Sequence, residues 1–249
     1  MGVGLEIAQE APVAGTLAAR KPRGEHLFFT SMAAAAALTV FLGFAPTYYL
    51  KGAFEGPPLT PLLHLHGALF TGWILLFILQ TSLIAAKRTD IHRRLGVIGG
   101  LLAVAMVVAG AAAAMWSVRR GFTPPGGPPP LVFFAIPVGD LVVFSTLVGC
   151  GISYRCRPDT HKRLMLLATI GLLTAAIARL PFVAGTGPLV FFGLTDLFVV
   201  GCLFHDRLTR GHVHPAFLWG GLFLVVSQPL RLAIAGTGAW LAFAAWLAG

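Results

Sequence analysis

The chain alternates long apolar runs with short polar ones, and the apolar runs have the length of membrane crossings. A helix that spans the hydrocarbon needs about 20 mostly apolar residues. Seven runs meet or approach that length: Leu27–Leu50, Pro61–Ala86, Leu95–Trp116, Leu131–Ser153, Arg163–Val183, Pro188–Phe204 and Ala216–Ala235. The sixth is the shortest. A last apolar stretch, Trp240–Ala248, is too short to cross and is expected at an interface. The pattern predicts an all-α integral membrane bundle of about seven transmembrane helices. Residues 1–26 read as a flexible basic cytoplasmic leader, and residues 27–249 as a single transmembrane domain. The leader does not read as a cleaved signal peptide. Its charges, Arg20, Lys21 and Arg23, stand just before the first span, with no small-residue cleavage site after it.

Composition agrees with the pattern. The 249 residues are 57% hydrophobic and only 11% charged, with mean hydropathy +0.83. A soluble domain carries about 25% charged residues. The net charge of +9 raises nucleic acid as a partner. The bases fall in short blocks between apolar runs rather than on one face, which argues against it. With the N-terminus inside, thirteen Lys and Arg lie in inner segments and only Lys51, Arg119 and Arg120 in outer ones. That bias predicts a cytoplasmic N-terminus and an external C-terminus in a bacterial inner membrane. The outer loop Arg119–Pro130, RRGFTPPGGPPP, reads as an irregular connector. Cys150, Cys156 and Cys202 lack metal-ligand spacing and are expected to be free, buried thiols.

An internal repeat organises the spans. KRTDIHRRLGVIGGLLA (Lys87–Ala103) and CRPDTHKRLMLLATIGL (Cys156–Leu172) align without a gap, and each opens a span from an inner loop. A third inner loop, FHDRLTRGHVHPAF (Phe204–Phe217), has the same placement and a looser likeness. The expected architecture is one leading helix plus three parallel-repeat hairpins. Asp90 and Asp159, or Thr89, are candidate caps for the helix starts. The Arg and Lys beside them suit an anionic lipid surface.

Capping accounts for the aspartates and the bases but not for His92 and His161, which hold equivalent places in the two repeats. Histidine is the commonest metal ligand, and two histidines from two helices at one depth can hold a haem iron. His92 and His161 are therefore candidate cofactor ligands, with His205, His212 and His214 as reserve metal ligands on the same side. His64 and His66 lie on the outer side. They are about 200° apart on a regular helix, so they face different ways and do not form a chelate by themselves. The cofactors this pattern admits are haem b and copper.

Asp140, Arg179, Asp196 and Arg231 fall inside the fourth to seventh spans. A charge within a span is costly and is expected to face the bundle with a partner. Asp140–Arg179 and Asp196–Arg231 are the expected pairs, each within its own hairpin. Together they would line an outward-opening polar site for a quinone or a small anionic ligand, with His64 or His66 on its wall. Gln80 and Gln228 read first as packing groups. Pro229 is a candidate kink close to Arg231.

HGALFTGWILLFILQTSLIAAKRTDIHRRLG, RPDTHKRLMLLATIGLLTAAIARLP and RGHVHPAFLWGGLFLVVSQPLRLAIAGT together resemble a family of bacterial multi-span inner-membrane proteins with paired His-Arg and His-Lys-Arg motifs at helix starts. That family brings no established activity. HRRLG and HKRLM alone are also similar to motifs of small haem- or copper-handling membrane families, which implies ligand roles for His92 and His161. Three functions follow from the residues: a haem- or metal-binding redox protein, a small transporter or proton-coupled permease using the Asp–Arg pairs, and a membrane scaffold. The chain has no phosphate-binding loop, dinucleotide turn, nucleophile elbow or zinc-protease helix.

Overall fold

A computed structural model describes residues 24–56, 58–124 and 126–249. The leader up to residue 23, with Arg20, Lys21 and Arg23, lies outside the described residues. Among the described residues nine α-helices follow in order: α1 (Glu25–Phe44), α2 (Pro61–Ala85), α3 (Thr89–Arg119), α4 (Pro130–Phe133), α5 (Ala135–Ser153), α6 (Pro158–Ile177), α7 (Pro188–Arg210), α8 (Pro215–Ala235) and α9 (Gly238–Ala248). A π-helical turn, Ala45–Tyr49, continues α1. Among the described residues six segments are long and apolar enough to cross a membrane: α1 with its π turn, α2, α3, α4 with α5, α7 and α8. The protein is an all-α membrane bundle.

The expected fifth span differs from the other six. Its helix, α6, starts earlier than its apolar run and carries Asp159, His161, Lys162 and Arg163 in its opening turns. It is also the most enclosed element, with Leu166, Leu167, Ala168, Leu173 and Ala176 fully buried. At about 1.5 Å per residue its 20 residues are about 30 Å long, the thickness of the hydrocarbon core. α6 packs on α1, α5, α7 and α8 and so forms the axis of the bundle.

Small residues permit that packing. In lipid, helices associate by close van der Waals contact, which small side chains allow. Gly43 of α1 meets the Ala176 carbonyl so closely that a methyl group there would overlap it. Ala33 and Ala36 of α1 are buried above this crossing. Gly151 opens space for Met165, and Gly220 for Leu167.

The repeat is visible in the first two hairpins. α2 with α3, and α5 with α6, pack along their lengths. The third hairpin is different, because α7 and α8 touch less and α8 lies mainly on α5 and α6. The helix starts also differ from expectation. The caps of α3 and α6 are Arg88 and Arg157, neither with a side-chain cap bond, and Asp90 and Asp159 sit within the first turn. Thr60, His214 and Thr237 do cap α2, α8 and α9. The helix α8 runs through Pro229 to Ala235. α9 is held against the ends of α3 and α4: Trp240 Nε1 donates to the Leu131 carbonyl at 2.9 Å and Arg119 Nε to the Ala248 carbonyl at 2.8 Å. Of the cysteines only Cys202 is buried. Cys150 and Cys156 are exposed, a correction to the expected buried thiols.

Candidate functional site

Two helix starts in matching register bring His92 and His161 together. Each is the fourth residue of its helix, with its backbone N–H donating to the cap carbonyl: His92 to Arg88 at 3.1 Å and His161 to Arg157 at 2.9 Å. The two imidazole centroids are 6.3 Å apart and the ring planes lie at 81°. His161 Nδ1 is 2.7 Å from the Gly151 carbonyl. A carbonyl only accepts, so Nδ1 carries the proton and Nε2 keeps a lone pair. Ligating histidines are commonly oriented in this way. His92 Nδ1 is buried with no partner, and so is Gln80 Oε1. Gln80 Nε2 donates to the His92 carbonyl at 3.3 Å.

The reserve histidines do not join this pair. His205 lies on α7, not in a loop, and stacks on Phe28 with centroids 3.7 Å apart and planes at 9°. His212 is exposed. His214 caps α8, its Nδ1 accepting from Ala216 N–H at 3.1 Å. Burial, and then the charges of Arg163 and Arg210, hold the His214 imidazole below its ordinary pKa. Among the described residues no group of three or more His, Cys, Asp or Glu side chains is arranged to hold a metal ion. A metal at His92 and His161 would thus have two protein ligands.

Near His214 lies an ionic network that sequence reasoning missed. Arg163 is fully buried and grips Asp206, also fully buried, through two bonds: Nε to Oδ2 at 2.9 Å and Nη2 to Oδ1 at 2.6 Å. Its Nη1 donates to the Asp159 carbonyl at 2.8 Å, and its guanidinium stacks over Phe217. Asp206 Oδ2 also accepts from His214 N–H at 3.0 Å. Lys162 Nζ bridges Glu25 at 2.6 Å and Asp159 at 2.7 Å, and Arg210 lies 3.7 Å from both. Three carboxylates and three bases thus join α1, α6 and α7. The one signal in the sequence was HDR, His205–Arg207, at the end of an apolar run.

On the other side of the bundle neither expected pair forms. Asp140 pairs with Arg231 at 2.5 Å, across α5 and α8, rather than with Arg179. Gly139 makes room, since a Cβ there would stand 2.7 Å from Arg231 Nε. Asp196 accepts from Gln228 Nε2 at 2.8 Å rather than from Arg231. Arg179 lies beyond the last residue of α6. It is exposed, donates to the Ala175 carbonyl, and stacks over Phe44. Hence the four charged residues do not form one connected cluster. His66 is half-buried with an unpartnered Nδ1, and His64 is exposed. The Tyr48 ring packs on Gly67 beside them. A groove of about 420 Å³ lies between α3 and α5, lined by residues such as Val107, Met115, Leu141 and Ser145. It is almost wholly apolar and none of the four charged residues lines it, unlike the expected polar cavity.

The chain matches no family model, no curated protein and no solved structure.

Proposed function

We propose that the chain is a bacterial inner-membrane, redox-related protein that binds haem b or copper through His92 and His161. The observation that carries this is the pair of nearly perpendicular imidazoles 6.3 Å apart. Metal–nitrogen bonds of about 2 Å on either side of one ion put two imidazole centroids about 6 Å apart. Two protein ligands suit two kinds of centre. A haem iron needs only axial ligands from the protein, and imidazole suits copper. His161 is held through Nδ1 by Gly151, which leaves Nε2 as its ligand atom. The resemblance carried by HRRLG and HKRLM points the same way.

The orientation belongs to the same proposal. The basic inner segments put the N-terminus in the cytoplasm and the C-terminus outside. The ligand pair then stands at the cytoplasmic ends of α3 and α6, and the exposed Arg179 stands outward, available to a small anionic ligand. A second reading, a small permease, is favoured by one observation, the intramembrane Asp140–Arg231 pair.

Spectroscopy and elemental analysis separate the two. The protein purified in mild detergent should show a Soret band or contain copper in proportion to protein. His92→Ala and His161→Ala should each lose that centre while remaining monodisperse. A colourless wild-type protein free of iron and copper would overturn the proposal and favour the permease.

A further inference from the structure

We infer that a hydroquinone headgroup binds beside His92, between its Nδ1 and the side-chain oxygen of Gln80. The inference rests on the proposed ligand role of His92 and names the class of molecule taken at that same site.

Two buried polar atoms at the inner ends of α2 and α3 lack hydrogen-bond partners: Gln80 Oε1 and His92 Nδ1. They belong to one place. Gln80 Nε2 donates to the His92 main-chain carbonyl, so the amide is fixed next to that residue with its own oxygen unused. Buried acceptors without donors are rare and costly, and each calls for an explanation. The amide oxygen can only accept. When His92 ligates through Nε2, its Nδ1 carries the ring proton and can only donate. The pair thus presents one acceptor and one donor.

A phenolic hydroxyl answers both at once. Its proton goes to Gln80 Oε1, and its oxygen accepts from His92 Nδ1–H. A quinone carbonyl accepts from His92 but leaves Gln80 unpaired, so the reduced form binds more tightly. The approach suits such a ligand. On the same two helices Leu75, Leu79, Val97 and Ile98 are exposed. A molecule arriving from the bilayer with an apolar tail can lie along them. The amide is neutral, and so is a hydroquinone.

The test uses the full chain in nanodiscs with borohydride-reduced decylubiquinol under anaerobic conditions. Quinol retained per protein after gel filtration is measured by extraction and chromatography, with iron and copper determined in the same samples. Retention should saturate near one per chain and favour quinol over quinone by roughly fivefold to tenfold, the loss of one neutral hydrogen bond. Gln80→Leu should weaken quinol binding by a similar factor with metal content unchanged. Gln80→Asn, which keeps the amide but withdraws it by one methylene, should do the same if the leucine variant does not fold. Gln80→Glu should retain binding. Retention no greater than in empty nanodiscs, or no response to either Gln80 change, would overturn the inference, and with metal present it would leave the proposed function standing. Gln80-dependent binding in samples free of iron and copper would uphold the headgroup site and overturn the metal assignment.

Discussion

Arg163 shows how far a single residue can depart from what its neighbours in sequence imply. In the sequence it is one of several bases at a helix start, suited to lipid headgroups. In the structure it is fully buried, with Asp206 as its partner. Read from the sequence, the apolar run before Asp206 ends at Phe204, because hydropathy treats an aspartate as a stop. A paired aspartate needs no water, so α7 continues to Arg210. Removing one member of a buried ion pair leaves the other charge uncompensated, at a cost of about 3–5 kcal/mol. Asp206→Asn should therefore lower the melting temperature in detergent sharply. The double change Arg163→Met with Asp206→Leu should be milder, because no orphan charge remains. Equal losses from the two would show that the pair is not what holds α6 and α7 together. The matching registers of His92 and His161 were legible at this scale, because matching motifs fix them; the convergence of the two rings was not. The Asp140–Arg231 partnership was not. It depends on the order of helices around the axis, which local spacing does not encode.

Elements carry two further expectations. The first concerns the cap of α8. His214 Nδ1 accepts from Ala216 N–H, which requires the unprotonated form of that nitrogen. Burial, with Arg163 and Arg210 nearby, depresses the folded-state pKa against the weaker opposing pull of Asp206 and Asp159. A histidine with a depressed folded pKa gives its full stabilisation above its unfolded pKa of about 6.5. That stabilisation is lost as pH falls below this value through the folded one. Asparagine caps a helix without titrating. His214→Asn should thus show a smaller loss of thermal stability than wild type between about pH 6.5 and 5, measured by melting at each pH. Parallel curves would remove His214 from the account. The second concerns α1, whose Gly43 touches the backbone of α6. Overpacking costs about 1–3 kcal/mol. Gly43→Val should reach or exceed the upper end, since a backbone carbonyl cannot turn aside as a side chain can. An unchanged melting temperature would mean that α1 does not pack on α6 as closely as described. The helices themselves were readable from apolar length. The early start of α6 was not, because its opening turns are polar and their burial comes from α1 and α7.

At the scale of the whole molecule the sequence carries the apolar lengths of six crossings, and loop charge sets an expected topology for them. Helices of membrane length alternate direction, so the parity of crossings decides where each segment lies. α6 is the one crossing that length and composition alone do not mark, since its first six residues include Asp159, Lys162 and Arg163. Its place on the axis, packed on four other helices, is the ground for expecting a crossing there. If it crosses, α1 to α8 traverse the membrane seven times, with α4 and α5 counted together. Glu25 and the His92–His161 pair then share the cytoplasmic side, and α9 lies outside with Arg119. The ionic network fits this arrangement: it joins the start of α1, the start of α6 and the end of α7, three points that must lie at one end of the bundle. If α6 did not cross, α8 and α9 would be carried to the cytoplasmic side. The contact between Arg119 and Ala248 would then join the end of the third crossing to a segment on the opposite face. Reporter fusions decide this. A cytoplasm-active reporter inserted in the loop before Asp159 should be active, and the same reporter fused after Gly249 inactive. An exported-domain reporter should give the reverse. Activity of the cytoplasmic reporter at both positions would remove the seventh crossing, and activity of the exported-domain reporter before Asp159 would remove the cytoplasmic placement of the histidine pair.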